Sequence, residues 1–182
     1  MKQLHKSLIL IGFMGTGKST LGKALAEKLQ LKQVDLDDVI VQEQQMPISD
    51  IFAKYGEEKF RELEHDVVRR YAAQSGLVIS PGGGAVLRAE NRKVMREYCT
   101  VISLLARPEV ILERVNRDAT VRPVLEALKP GQSKLERIEE VLAERMPCYR
   151  EADFVLDTSD ACVDDLVAQV LTWLEHGAGE KQ

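Results

Sequence analysis

Long apolar runs are missing from this sequence, and none approaches the roughly 20 residues that a bilayer span needs. A membrane partner is therefore not expected. Cysteine is scarce: Cys99, Cys148 and Cys162 form an odd set with no C-x-x-C spacing. That argues against both a disulfide framework and a zinc site, and it suits a reducing cytoplasm. An excess of positive charge is also absent, since the formal net charge is −4. Long-range attraction for nucleic acid is thus not provided, although a local basic pocket stays compatible with it. Repeats and low-complexity tracts are lacking. The opening "MKQLHKSLILIGF" has no small-residue cleavage site, so it reads as a first strand rather than a secretory signal. What remains is 182 residues, enough for one core and too few for two generous ones, and we expect one domain over 1–182.

Within that domain, strand-like and helix-like patterns alternate. "SLILIG", "LVISPGGG", "TVISLLA" and "FVLD" are continuous apolar runs, the pattern of strands covered on both faces, and "KQVDLDD" offers a shorter strand candidate. Helical stripes lie between them. Leu21, Ala24, Leu25 and Leu29 form one, Phe60, Leu63, Val67 and Tyr71 another, and the series from Val163 to Leu174 the cleanest. Ser133 and Glu136 make a capping box that opens a helix, and Pro147 is expected to stop it. Alternation of this kind predicts an α/β fold, a parallel sheet between layers of helices. The tail over 175–182 is expected to fray.

The most informative stretch is "LILIGFMGTGKSTLGKAL". Its Gly12–Ser19 segment fits G-x-x-x-x-G-K-[S/T], placed between a strand and a helix. Glycines at Gly12, Gly15 and Gly17 let the backbone wrap closely enough for N–H groups to face phosphate oxygens, and the following helix adds its positive end. Lys18 reaches the outer phosphates and the Ser19 hydroxyl ligates Mg²⁺. A dinucleotide fingerprint is excluded, because it needs a small residue where Thr20 stands. The loop, 12–20, binds a nucleoside triphosphate; it does not name the acceptor.

Other groups bear on the acceptor. Asp35 and Asp37 follow a short strand at i, i+2, so both can line one edge of the phosphate site; an acidic helix N-terminus accounts for them equally well. Arg61 and Glu64, at i, i+3, are either a solvated ion pair or an arginine aimed by its glutamate. Arg145 extends the apolar stripe of Ile138 and Leu142, and an inward arginine usually meets an anion; a cation at a helix C-terminus is the competing reading. Gly82, Gly83 and Gly84 close a buried strand, either as a tight turn or as backbone left open to a ligand. The segment over about 117–132 lacks a period, and a loop of that length is usually functional or disordered.

"GFMGTGKST", "DLDD", "FRELE", "SPGGGAV", "VRP" and "ERMPCYRE" occur in the order and approximate spacing of shikimate kinases, over residues from about 6 to 175. The chain resembles that family. The resemblance implies a P-loop kinase fold akin to the nucleoside monophosphate kinases, with a five-stranded parallel sheet, a substrate-binding region over about 36–75 and a mobile lid over about 117–132. It also implies phosphorylation of the 3-hydroxyl of shikimate by ATP with Mg²⁺, in the cytoplasm, by a monomer whose partner is the small-molecule substrate. By the same resemblance, Gly12, Gly15, Thr16, Gly17, Lys18, Ser19 and Thr20 hold the nucleotide, and Asp35 with Ser19 serves the metal. Asp37 faces the substrate hydroxyl, Arg61 and Arg145 clamp the carboxylate, and Gly82–Gly84 line the acid's site. Arg122 becomes the lid arginine on the transferring phosphate, and Arg114 an adenine-side contact. Two other readings share parts of the pattern: a gluconate-type or nucleoside monophosphate kinase, and a nucleotide-binding switch that phosphorylates no small molecule.

Overall fold

A computed structural model describes residues 6–117 and 123–176. Five strands form one parallel sheet in the order β2-β3-β1-β4-β5: β1 is Ser7–Gly12, β2 Lys32–Asp35, β3 Leu77–Ser80, β4 Cys99–Leu105 and β5 Phe154–Asp157. Four coincide with the expected apolar runs, and β2 with the shorter candidate in "KQVDLDD". The central β1 is flanked on both sides, so its Leu8, Ile9 and Leu10 have no exposure. Each such side chain contributes about 1.5–3 kcal/mol on burial.

Because side chains alternate along a strand, one sequence feeds two cores. Leu8, Leu10, Val78 and Ile102 pack with α1 (Lys18–Leu29) and α8 (Val163–His176), through Leu21, Leu25 and Val170. Ile9, Ile11, Ile79 and Val101 face the opposite layer. There α3 (Ile48–Ala72) contributes Phe60 and Val67, and α7 (Lys134–Tyr149) contributes Ile138 and Leu142. The helices α2 (Leu36–Gln44), α4 (Ala89–Tyr98), α5 (Pro108–Arg117) and the short α6 (Pro123–Glu126) complete the described elements. A 3₁₀ turn at Ala85–Leu87 follows the glycine triplet.

Two helices depart from expectation. The capping box forms as predicted, with Glu136 N–H on Ser133 Oγ and Ser133 N–H on Glu136, but α7 does not stop at Pro147; it runs on to Tyr149. Proline there removes a single hydrogen bond, to the Ala143 carbonyl, near a helix end where few remain to lose. The fully buried Tyr149 holds the last turn in place. Inside α3, Gly56 adopts φ 82° and ψ 170°, a conformation restricted to glycine, and kinks the helix between its Phe52 and Phe60 turns. The apolar stripe alone gave no sign of this break. Arg122 and the adjoining first part of the expected lid lie outside the described residues, as does the tail from residue 177.

Candidate active site

The loop between β1 and α1 answers the question its glycines raise. Gly12, Gly15 and Gly17 have φ of 150°, 77° and 94°, conformations that side-chain-bearing residues rarely adopt. Gly17 caps α1 without a side chain, and the first turn of α1 carries no acidic residue. Its N–H groups and the positive end of the helix dipole are thus left for an anion. The Lys18 ammonium donates to the carbonyls of Gly12 (3.0 Å) and Phe13 (3.1 Å), which holds it across the loop. Thr16 turns inward: fully buried, its hydroxyl donates to the Phe13 carbonyl at 2.7 Å. It shapes the loop from within and does not line the cleft.

At the end of β2, the two readings of the aspartates prove compatible. Asp35 is the N-cap of α2 and accepts from Asp37 N–H at 3.1 Å with one oxygen, while the other accepts from Ser19 Oγ at 3.0 Å. Burial, offset in part by the Ser19 bond, pushes the Asp35 pKa up. A serine hydroxyl beside one carboxylate is a hard-oxygen pair that fits Mg²⁺, which keeps several waters and takes substrate phosphate oxygens. Among the described residues no group of three or more His, Cys, Asp or Glu gathers into an all-protein metal cage.

Two further carboxylates meet over the glycine triplet. Glu64 is buried on α3 with one oxygen bonded to Arg61 Nη1 at 2.9 Å. The exposed Glu57 holds the other edge of the guanidinium, at 3.1 and 3.3 Å. The pairing of Arg61 is thus not a solvated one, because Glu64 has left water. Asp37 Oδ1 and Glu64 Oε1 are buried without a hydrogen-bond partner among the described residues. A Cβ on Gly82 would stand 2.8 Å from the first and 3.0 Å from the second. Burial, with Asp35 adding repulsion, pushes the Asp37 pKa up to about 6; burial pushes Glu64 up to about 7 despite Arg61. Gly84 lies closer still to Arg61, 2.6 Å from Nη1 to a notional Cβ, so a side chain there would displace the guanidinium.

Arg145 is inward as its stripe implied: only 5% exposed, its guanidinium lies 5.6 Å from the centroid of the Phe13 ring. One cleft of about 430 Å³ collects these groups. From the phosphate loop come Gly15, Gly17, Lys18, Ser19 and Thr20; from β2 and α2, Asp35 and Asp37; from α3, Arg61 and Glu64. Gly82–Gly84 and Arg145 close it, and Ile48, Phe52, Phe60 and Val124 supply apolar wall. Gly12, Thr16 and Arg114 do not line it. Arg114 instead donates to the Gly15 carbonyl at 3.3 Å and to Thr158, at 2.6 Å to its carbonyl and 3.1 Å to its hydroxyl. Thr158 in turn donates to the Thr16 carbonyl at 2.9 Å, so a residue unmarked in the sequence ties the phosphate loop to β5.

A phosphate loop, a lysine and a magnesium-type oxygen pair, set against a carboxylate and two arginines in one cleft, define a P-loop kinase of small anionic acceptors. The family model described as shikimate kinase matches residues 14–175. The shikimate kinase of Thermodesulfovibrio yellowstonii is 40% identical over 171 residues, 94% of this chain and 96% of the relative. That of Geobacter metallireducens is 41% identical over 170, covering 93% and 92%. Among solved structures, shikimate kinase from Acinetobacter baumannii in complex with shikimate superposes with a TM-score of 0.88 at 32% identity, over 98% of this chain and 97% of that one. A gluconokinase from Sinorhizobium meliloti, at TM-score 0.61 and 18% identity over 96% and 94%, shares the fold. The chain belongs to the shikimate kinase family.

Proposed function

We propose how this site divides the labour of its reaction, the transfer of the γ-phosphoryl group of ATP to the 3-hydroxyl of shikimate on the route to chorismate and the aromatic amino acids. One observation carries the reading: Arg61 and Arg145, from different helices, reach the same cleft as Lys18, Asp35 and Asp37. Two guanidiniums, both half-buried or deeper, match a carboxylate; a switch protein has no use for them. Phosphoryl transfer needs little covalent help, so positioning and charge neutralisation do most of the catalysis. The loop N–H groups and Lys18 hold the phosphates. Ser19 and Asp35 would hold Mg²⁺, whose chemistry is to neutralise phosphate charge.

Asp37 orients the attacking hydroxyl and accepts its proton. Its raised pKa places it near the working range of a general base. Arg61 and Arg145 fix the acid, while Gly82–Gly84 offer backbone where side chains would collide. Arg122, on the lid, stabilises charge on the transferring group, and Arg114 bounds the adenine side. The enzyme acts as a cytoplasmic monomer of one domain, with 36–75 as its acceptor region and 117–132 as its lid. A coupled assay of ADP release with shikimate, gluconate and AMP offered separately tests the reading. Turnover confined to shikimate is expected; turnover with gluconate or AMP, or ATP hydrolysis indifferent to all three, refutes it.

A further inference from the structure

A run of three glycines brings no side chains of its own to the core, so the bonds it receives from outside help to set the position of its backbone. The turn is closed internally by Ala85 N–H on the Gly82 carbonyl at 3.0 Å. Two of its other carbonyls are held by other elements. Tyr149, fully buried on α7, donates its hydroxyl to the Gly83 carbonyl at 2.7 Å. Asn91, fully buried on α4, donates Nδ2 to the Ala85 carbonyl at 2.9 Å. A carbonyl can only accept, so the amide is oriented with Oδ1 turned away, and that oxygen lies 2.6 Å from Nδ1 of His65 on α3. His65 must therefore carry its proton on Nδ1, whichever state Nε2 adopts.

The spacing of these anchors is the point. Tyr149 follows Arg145 by four residues and His65 follows Arg61 by four, so each arginine shares a helix face with one anchor, a single turn away. Every link is buried or half-buried. Burial pushes the Tyr149 pKa up to about 12, which keeps its hydroxyl a donor. We propose that Tyr149 and the His65–Asn91 pair are positioning residues of the acid site, each fixing one arginine of the clamp at a set distance from the glycine turn. This rests on the reading of Arg61 and Arg145 as a carboxylate clamp. Tyr149 bonds the Gly83 carbonyl and His65 meets Asn91, so both act first on the acceptor side, although Gly83 also lies against Gly12 and Met14 of the phosphate loop.

The test uses the full-length enzyme with Tyr149→Phe, which removes only a hydroxyl, and His65→Leu, which removes the donor. His65→Asn serves as the rescue, because its Nδ2 replaces Nδ1. KM for shikimate and KM for MgATP are measured separately, with shikimate affinity by calorimetry and the melting temperature as a control. Tyr149→Phe and His65→Leu are each expected to weaken shikimate binding about tenfold, the loss of one buried hydrogen bond, with KM for MgATP within about twofold. His65→Asn is expected to recover most of that loss. A lower melting temperature with both constants unchanged, or both KM values rising in parallel, overturns the proposal. Should His65→Leu fail to fold, Tyr149→Phe and His65→Asn decide between the same outcomes. Arg61→Ala and Arg145→Ala run beside them: if these spare shikimate binding, the clamp reading falls and this inference with it, whereas if only these two weaken it, the inference alone falls.

Discussion

Replacing Gly82 by alanine perturbs the site at the one place where its two partnerless carboxylate oxygens converge. The new Cβ would stand 2.8 Å from Asp37 Oδ1 and 3.0 Å from Glu64 Oε1, against about 3.4 Å for ordinary contact. Shortfalls of about 0.6 and 0.4 Å have to be absorbed by one side chain or the other. Both border the cleft, but Glu64 is only 2% exposed and tied to Arg61, so the less buried Asp37 yields. The backbone at Gly82 is not in the left-handed region, so alanine costs no strain there. Reduced entropy of the unfolded chain then offsets part of the steric cost, and the melting temperature is expected to hold within about 5 °C. Catalysis is less forgiving. A misplacement of about 1 Å in a reacting group costs roughly 10²-fold, so a shift of about half that is expected to lower kcat roughly tenfold. KM for MgATP should change little, because the displaced carboxylate is not on the phosphate loop. Steady-state kinetics with each substrate varied in turn, beside a melting curve, read all three quantities. An unchanged kcat, or a loss shared with MgATP binding, refutes the reasoning that Asp37 is the group displaced.

Lys18→Met is expected to abolish phosphoryl transfer while the far-ultraviolet circular dichroism spectrum stays intact, since the lysine bridges loop carbonyls and fills no core; turnover within tenfold of wild type refutes its role. Asp37→Asn should bind MgATP normally and lose about 10²–10⁴ in kcat, toward the low end if proton transfer is late. Asp35→Asn should instead raise the Mg²⁺ concentration needed for half-maximal rate; titration of Mg²⁺ against rate exposes a reversal of the two roles. Glu64 has a folded pKa raised to about 7 from 4.5, so the folded state binds the extra proton, and the stability this confers is full below 4.5 and lost as pH rises through 7. Thermal melts of wild type and Glu64→Gln should therefore show a difference that shifts in favour of the variant between pH 5 and pH 8. A shift in favour of wild type would mean that the Arg61 ion pair outweighs burial.

What the sequence disclosed of this enzyme was what short-range patterns encode. Four of the strands were legible because each is a run of apolar residues, β2 (KQVD) only as a shorter candidate, and the capping box because Ser133 and Glu136 lie three residues apart. The burial of Arg145 was legible for the same reason: it continues the stripe of Ile138 and Leu142, both buried. Gly56 escaped, since a helical stripe can resume in phase after a kink. Pro147 misled, because the rule that proline ends a helix assumes hydrogen bonds still to be lost, and one turn from the end there are few.

The acid site itself was only half legible. Its candidate residues stood out by motif, yet the bonds that place them join residues far apart in sequence, as Thr158 does to Thr16 and Tyr149 to Gly83. Such bonds have no period to detect. They are nevertheless the reason the motif residues work at a fixed spacing. Asp35 shows why reading residues one role at a time misleads here: the carboxylate that caps α2 is the one bonded to Ser19, so starting the helix and, on the proposed reading, presenting an oxygen to Mg²⁺ are a single placement. A substitution at Asp35 is therefore expected to act on local helix stability and on Mg²⁺ affinity together. Only the dependence of rate on Mg²⁺ concentration, measured at a temperature where α2 remains folded, separates them.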